Sequence, residues 1–372
     1  MTASPSILLT LAAFALMLGP LVLVHELGHY LVGRLFGVKA DAFSIGFGKE
    51  IVGWTDRRGT RWKLSALPLG GYVQFAGDMN AASMPDVHAA DGLDPEERAR
   101  LFQSRPLWQR SLVVAAGPVT NLLFAVAIFA AFNFAYGQLV ATPEITRFEA
   151  GSPAKAAGML IGDRIVAIDG NRIDSFTDIP EYILPYPGRT VTITVRREGR
   201  VLELPVRIRE EVEQDRFGNK ARIGRIGIRP GRGEIVPVGP IAATRLAIDQ
   251  TAGIIRMTFA GVGQILTGER SVRELGGPVK IARYSGEQLS LGWLQFVNFA
   301  ALISINLAFI NLLPIPALDG GHLAFYAAEA VRRRPLGLRS QEWAFRTGLA
   351  LVLALMLFVT INDLAMLPFF GG

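Results

Sequence analysis

Four stretches of the chain carry no charged side chain: residues 1–24, 111–143, 288–318 and 347–362. The segments between them are ordinary in charge. A soluble core does not sort its charges into blocks, whereas membrane spans joined by water-exposed segments do. The apolar runs Ile7–Val24, Leu112–Tyr136, Leu294–Leu313 and Gly348–Leu367 each reach or approach the ~20 residues that cross ~30 Å of hydrocarbon. The first lacks a basic lead-in and a small-residue cleavage site and runs on into His25, so it reads as a retained span rather than a signal peptide. The fourth is interrupted by Asn362 and Asp363.

Between these runs the pattern changes. Arg164–Ile168, Thr190–Arg196 and Val201–Ile208 alternate apolar with polar residues, as half-buried strands do. Gly151–Gly158 reads as a turn leading into a short helix. Ile241–Leu266 has helical periodicity, with Ile248, Ile255 and Phe259 near one face; it reads equally as a membrane-surface helix or as one packed on the β-rich segment. Nearer the N-terminus, Arg61–Leu67 and Tyr72–Phe75 read as a hairpin joined by Pro68-Leu69-Gly70-Gly71. That hairpin is either ordinary or pressed against the active site, offering an edge to an extended substrate. Residues 78–105 read as a polar, flexible connection.

The positions of Lys and Arg set the orientation. Arg57, Arg58, Arg61, Lys63, Arg98 and Arg100 lie between the first two spans, and Arg332, Arg333, Arg334, Arg339 and Arg346 between the last two. The positive-inside rule puts both loops in the cytoplasm and both termini outside. The long segment between spans two and three is then extracytoplasmic.

Composition narrows the class further. Half of the 372 residues are hydrophobic and 19% are charged, below the ~25% of soluble domains, so disorder is excluded. With no cysteine, a disulfide scaffold is excluded. The net charge is +6, but no basic stripe is interleaved with aromatics, so nucleic acid is not an expected partner.

The chemistry begins at the end of the first span, with His25-Glu26-Leu27-Gly28-His29. On a helix, residues four apart share a face. His25 and His29 can therefore reach one metal ion, with Glu26 beside them as general base. Ionisable residues at membrane depth default to a functional reading. A catalytic zinc site usually takes a third protein ligand. Asp319 is the leading candidate, because it ends the third uncharged stretch where Pro314 and Pro316 must unwind the helix. Its alternative role is a helix N-cap. His322 is either a competing ligand or a packing neighbour.

Together, His25–His29 and the run Asn311-x-x-Pro314-x-Pro316-x-Leu318-Asp319-Gly320 resemble the site-2 protease family of intramembrane zinc metalloproteases. Gly46-Phe47-Gly48, residues 68–73 and the run Ala116–Asn121 match as well. Gly151-Ser152-Pro153-Ala154 through Gly162-Asp163 resembles a bacterial PDZ domain. The resemblance implies one catalytic Zn²⁺ on His25, His29 and Asp319, with Glu26 as the catalytic residue. It implies substrate binding at Asn311, Pro314, Pro316, Gly70, Gly71 and Tyr72. The substrates would be single-span membrane proteins, such as anti-sigma factors after a first cleavage, or remnant signal peptides. A C-terminal peptide would occupy the PDZ domain. The location would be the bacterial inner membrane, with the active site toward the cytoplasm. Some members carry two tandem PDZ domains; here residues 142–233 hold one, which points to a single-PDZ branch.

The expected fold is a polytopic α-helical membrane protein with about four transmembrane helices, a cytoplasm-side β-hairpin and an inserted extracytoplasmic β-rich PDZ domain. Its expected segments are a membrane core (1–141), the PDZ domain (142–233), a helical connector (234–292) and the rest of the core (293–372). The competing reading is a membrane-anchored PDZ adaptor with a structural metal site. Such sites normally take four protein ligands, and this chain has no Cys and four His.

Overall fold

The computed structural model describes residues 6–77, 92–214, 220–231, 233–268, 271–334 and 336–365. In chain order the main elements are α1 (Ile7–Leu35), β1 (Ala40–Thr55), β2 (Arg61–Phe75) and α2 (Leu107–Tyr136). A small sheet follows, of β3 (Arg164–Ile168), β4 (Asn171–Arg172), β5 (Thr190–Arg197) and β6 (Arg200–Arg207). The chain then continues through α3 (Pro240–Leu266), α4 (Pro278–Leu291), α5 (Trp293–Asn311), α6 (Asp319–Arg332) and α7 (Leu338–Ala365). It divides into two compact units, Met1–Ile128 with Gly276–Asp363, and Phe129–Leu275 with Leu364–Gly372.

Four helices are long and apolar enough to cross a membrane: α1, α2, α5 and residues Arg339–Ala365 of α7. They fall on the four uncharged stretches. The end of the fourth expected span, at Leu367, lies outside the described residues. Helix α1 runs eleven residues past the expected Val24. Pro20 and Pro118 sit inside α1 and α2, and neither ends its helix.

In the first unit, α4 packs along the N-terminal half of α1. Ser285 Oγ lies 3.6 Å from Met17 Sδ, and a Cβ at Gly286 would meet Thr10 Cα at 3.0 Å. The start of α4 is tied to the last span. Asp363 accepts from the backbone N–H of Gly277 at 3.0 Å and of Lys280 at 2.9 Å. The polar interruption of span four is therefore a capping carboxylate, which also favours the positive end of the α4 dipole.

The sheet between α1 and α2 differs from the expected hairpin. Tyr72–Phe75 does not fold back on Arg61–Leu67. It pairs instead with β1, through Ser44–Tyr72, Phe43–Val73 and Ala40–Phe75. Residues 61–64 lie on the other side of the same stretch, with Phe43 opposite Trp62, and also pair with Val52–Thr55. The physical reason is packing. Phe43 stacks on Trp62 at 4.5 Å, and Tyr30 of α1 meets both rings edge-on at 5.8 and 5.2 Å. Aromatic pairs of this kind contribute ~0.5–1.5 kcal/mol each beyond burial, and β1 must lie centrally to make them. Of the expected connection, residues 78–91 lie outside the described residues. The remainder includes a short helix at Pro95–Ala99, capped by Asp94, whose side chain accepts from Glu97 N–H at 2.7 Å.

In the second unit the strand order is β4-β3-β5-β6, all antiparallel. Ile165, Ile168, Ile193, Val195 and Val206 form its core with Ile145, Met159 and Ile208. The expected helix after Gly151 spans Pro153–Ala156, with Ser152 as its N-cap. Helix α3 leaves Ile241, Ile248 and Phe259 exposed. Asp163 is fully buried and takes a two-pronged contact from Arg197, Nε–Oδ1 and Nη2–Oδ2 both 2.7 Å, plus the Leu160 N–H at 2.8 Å. Burial alone would push its carboxyl up, but the Arg197 and Leu160 hydrogen bonds outweigh that and hold it below the ordinary aspartate value.

A depressed folded-state pKa adds stability above the unfolded value of ~3.9, and that stability is lost as pH falls through the folded value. Asp163→Asn should therefore speed amide exchange in β3 and β5 at neutral pH. The parent protein should show the same loosening only below about pH 4. Hydrogen-exchange mass spectrometry, corrected for intrinsic rates, checks both. Equal protection in the variant and the parent at pH 7 would show the pair to be without weight.

Candidate metal centre and active site

The site is built where α1 crosses α2. Gly28 of α1 has no room for a side chain: a Cβ there would lie 2.5 Å from the Ala116 carbonyl oxygen. Gly117 of α2 is equally closed, since a Cβ would lie 2.5 Å from His29 Cε1 and 2.8 Å from His25 Cε1. The two glycines let the histidine rings rest against the α2 backbone. Within a bilayer such small residues are the main means of close helix approach.

His25 and His29 stand edge to face with centroids 4.8 Å apart, and their Nε2 atoms are 3.2 Å apart. His29 Nδ1 donates to the Val113 carbonyl at 2.9 Å. That direction is forced, because a carbonyl only accepts. It leaves the Nε2 lone pair of His29 turned toward its neighbour. His25 Nδ1 lies 3.2 Å from the Asn121 side-chain amide.

Asp319 comes from the far end of the chain. Helix α5 stops at Asn311, as the prolines require, and α6 begins at Asp319 itself. Its N-cap residue is Leu318 and no side chain caps it, so the Asp319 carboxylate is not spent on its own helix. Gly320 and Gly321 allow the tight return: a Cβ at Gly321 would lie 2.7 Å from the Ile315 carbonyl carbon and from Pro316 Cα. Ala317 completes the turn at φ 84°, a strained value for a residue with a side chain. Asp319 Oδ2 ends 3.2 Å from His25 Nε2 and 3.5 Å from His29 Nε2.

These three atoms form a nearly equilateral triangle of 3.2, 3.2 and 3.5 Å. Tetrahedral ligands at 2.0–2.1 Å from a zinc ion are separated by about 3.3 Å. Asp319 Oδ2 is also buried with no hydrogen-bond partner, which is costly unless a cation takes it up. The donor set therefore fits a metal ion, and His25, His29 and Asp319 are its candidate holders.

Glu26 lies beside them, its carboxylate facing the Val73 backbone N–H of β2. A cavity of about 350 Å³ opens here. Its walls include Glu26, Phe47, Gly70, Gly71, Tyr72, Asn311, Asp319 and His322. Of the expected substrate residues, Asn311, Gly70, Gly71 and Tyr72 thus line the cavity. Pro314 and Pro316 are not among its lining residues. They shape the turn instead, where Pro316 packs under Gly348 of α7. His322 lines the cavity but is outside the three-residue metal cluster. The side chains for which the sequence indicated no role are Gly117 and Asn121, with the Val113 carbonyl and Val73 N–H among backbone groups. Their only signal was the run Ala116–Asn121, quoted for likeness alone.

Two helical histidines four apart, a carboxylate as third candidate ligand and an adjacent glutamate define the metallopeptidase class of site. The model of peptidase family M50 matches residues 13–355. The chain belongs to this family, the site-2 proteases, and is an integral membrane zinc metalloprotease. A relative from Agrobacterium fabrum bearing a zinc metalloprotease name is 45% identical over 358 residues, with 95% of each chain covered. A similarly named relative from Rhizobium meliloti is 44% identical over 359 residues, covering 95% of this chain and 96% of its own. Metalloprotease MmpA of Caulobacter vibrioides is 36% identical over 393 residues, with 98% of each chain covered.

Gly117→Ala should displace the histidine rings from the α2 backbone that supports them and lower zinc affinity by ~10-fold or more. Gly19→Ala, where nothing lies within 4 Å, should leave it unchanged. Metal content of the two purified variants, measured by plasma mass spectrometry after equal washing, makes the comparison. Full zinc in the Gly117 variant would contradict the crossing described above.

Proposed function

We propose that this metalloprotease holds one Zn²⁺ on His25, His29 and Asp319 and cuts single-span membrane proteins within or near their membrane segment. The observation that carries the reading is the triangle of donor atoms, with Asp319 Oδ2 buried and without a hydrogen-bond partner, against a cavity walled by residues of α1, α5 and β2. Zinc, when bound, would activate water near neutral pH and polarise the scissile carbonyl. Glu26 takes the proton of the attacking water and returns it to the leaving amine.

A membrane helix hides its carbonyls in its own hydrogen bonds, so a substrate must unwind before it is cut. Residues 71–75 pair with β1 on one side and carry no second strand among the described residues. The side of Gly71–Val73 that faces Glu26 and the cavity suits a substrate strand by β-augmentation. Asn311, at the end of α5, is the side chain we assign to holding the reacting carbonyl. Basic loops on both sides of the site support a cytoplasmic-side cut in the bacterial inner membrane, with both termini and the β-rich unit outside. That unit we read as a single PDZ domain that screens C-termini exposed by a prior cleavage. The adaptor reading is set aside, since a closed structural site would need a fourth protein ligand and the cluster has three.

Glu26→Gln should keep zinc and abolish cleavage of a model single-span substrate in proteoliposomes, while Asp319→Ala should lose the metal. Cleavage by the Gln variant would end the proposed proton transfer, and full zinc in the Ala variant would remove Asp319 from the ligand set. If unwinding limits turnover, placing Gly or Pro in the substrate's membrane segment should raise the cleavage rate, and an all-Leu segment should depress it. Rates independent of helix propensity would rule out unwinding as the limiting step.

A further inference from the structure

A histidine that gives Nε2 to a metal keeps its proton on Nδ1, and that N–H needs an acceptor. For His29 the acceptor is the Val113 carbonyl. For His25 the group in reach is the Asn121 side chain, fully buried on α2. With its nitrogen toward the ring, the amide sets donor against donor once Nε2 binds a metal. The same orientation leaves Asn121 Oδ1 buried with no hydrogen-bond partner. Turning the amide by half a rotation exchanges oxygen and nitrogen at nearly the same positions, and the oxygen then meets His25 Nδ1.

We infer that Asn121 is a positioning residue of the metal centre, whose Oδ1 accepts the Nδ1 proton of His25 and so presents Nε2 to the metal. Its own place is well fixed. It lies one turn beyond Gly117, which rests on the same two rings. Its backbone carbonyl accepts from Ser304 Oγ of α5 at 2.9 Å. Helix α2 thus supplies an acceptor to each histidine, a main-chain oxygen to one and a side-chain oxygen to the other.

The inference rests on His25 being a zinc ligand, and the test separates the two. The full chain in detergent is stripped with a chelator and titrated with zinc against a chromophoric competitor. Asn121→Leu, similar in size but without an acceptor, should weaken zinc binding about 10- to 100-fold. Asn121→Asp, which keeps an acceptor oxygen, should stay within about 3-fold of the parent, and its cobalt-loaded visible spectrum should match the parent's while that of the Leu variant shifts. If the Leu variant does not fold, Asn121→Ala replaces it in the same comparison. Parent-like zinc affinity in the variant lacking an acceptor, or an Asp variant as weak as the Leu variant, overturns the inference while leaving the ligand set intact. Parent-like affinity in His25→Ala overturns the ligand assignment and the inference with it.

Discussion

The close crossing of α1 and α2 at Gly28 and Gly117 is the constraint on which the site depends. Lipid offers no hydrophobic reward for bringing two apolar helices together, so contact must come from packing and hydrogen bonds. Removing two side chains brings the α2 backbone within touching distance of the His25 and His29 rings. Once there, the same turns of α2 provide the Val113 carbonyl and the Asn121 amide. A bulkier crossing would leave both δ-nitrogens without partners and both rings free to rotate. The helix pair is therefore support for the ligands as much as anchor in the membrane.

The third proposed ligand depends on the opposite device, a break rather than a crossing. Asp319 reaches the histidines because α5 ends at Asn311 and the chain doubles back through two prolines and two glycines. The φ of 84° at Ala317 costs on the order of 1–3 kcal/mol. It persists because Gly320, Gly321 and Gly348 let the turn pack against its own carbonyls and against α7. Strain and irregular backbone at such a depth are tolerated where they are buried in protein or line a cavity.

Much of this was legible in the residues. The charge-free stretches marked the four long helices, and His25, Glu26, His29 and Asp319 stood out because ionisable groups are costly in apolar surroundings. Other features were not legible, for reasons that can be named. The β1 strand leaves little mark in the pattern because Gly46, Gly48 and Gly53 break its alternation, and it pairs with two separate stretches of β2. Tyr72–Phe75 was assigned the wrong partner because a short loop favours the nearest strand, whereas the Tyr30–Phe43–Trp62 stack favours another. The extension of α1 to Leu35 lies among polar residues that hydropathy does not count. Asn121, uncharged and mid-span, leaves no mark in composition, and hydropathy registers Asp363 only as an interruption of a span, because its partners at the start of α4 lie more than 80 residues away.

Asp363 has a consequence for biogenesis. It is the last charged residue of the chain, and it closes the start of α4, the helix that lies along α1. A chain emerging from the ribosome holds His25 and Glu26 in the bilayer long before Asp363 is made. Until the final span inserts, the α4 terminus has no cap and the brace beside the histidine helix is incomplete. The contact spans 86 positions of the chain, so the brace along the first half of α1 closes late in synthesis.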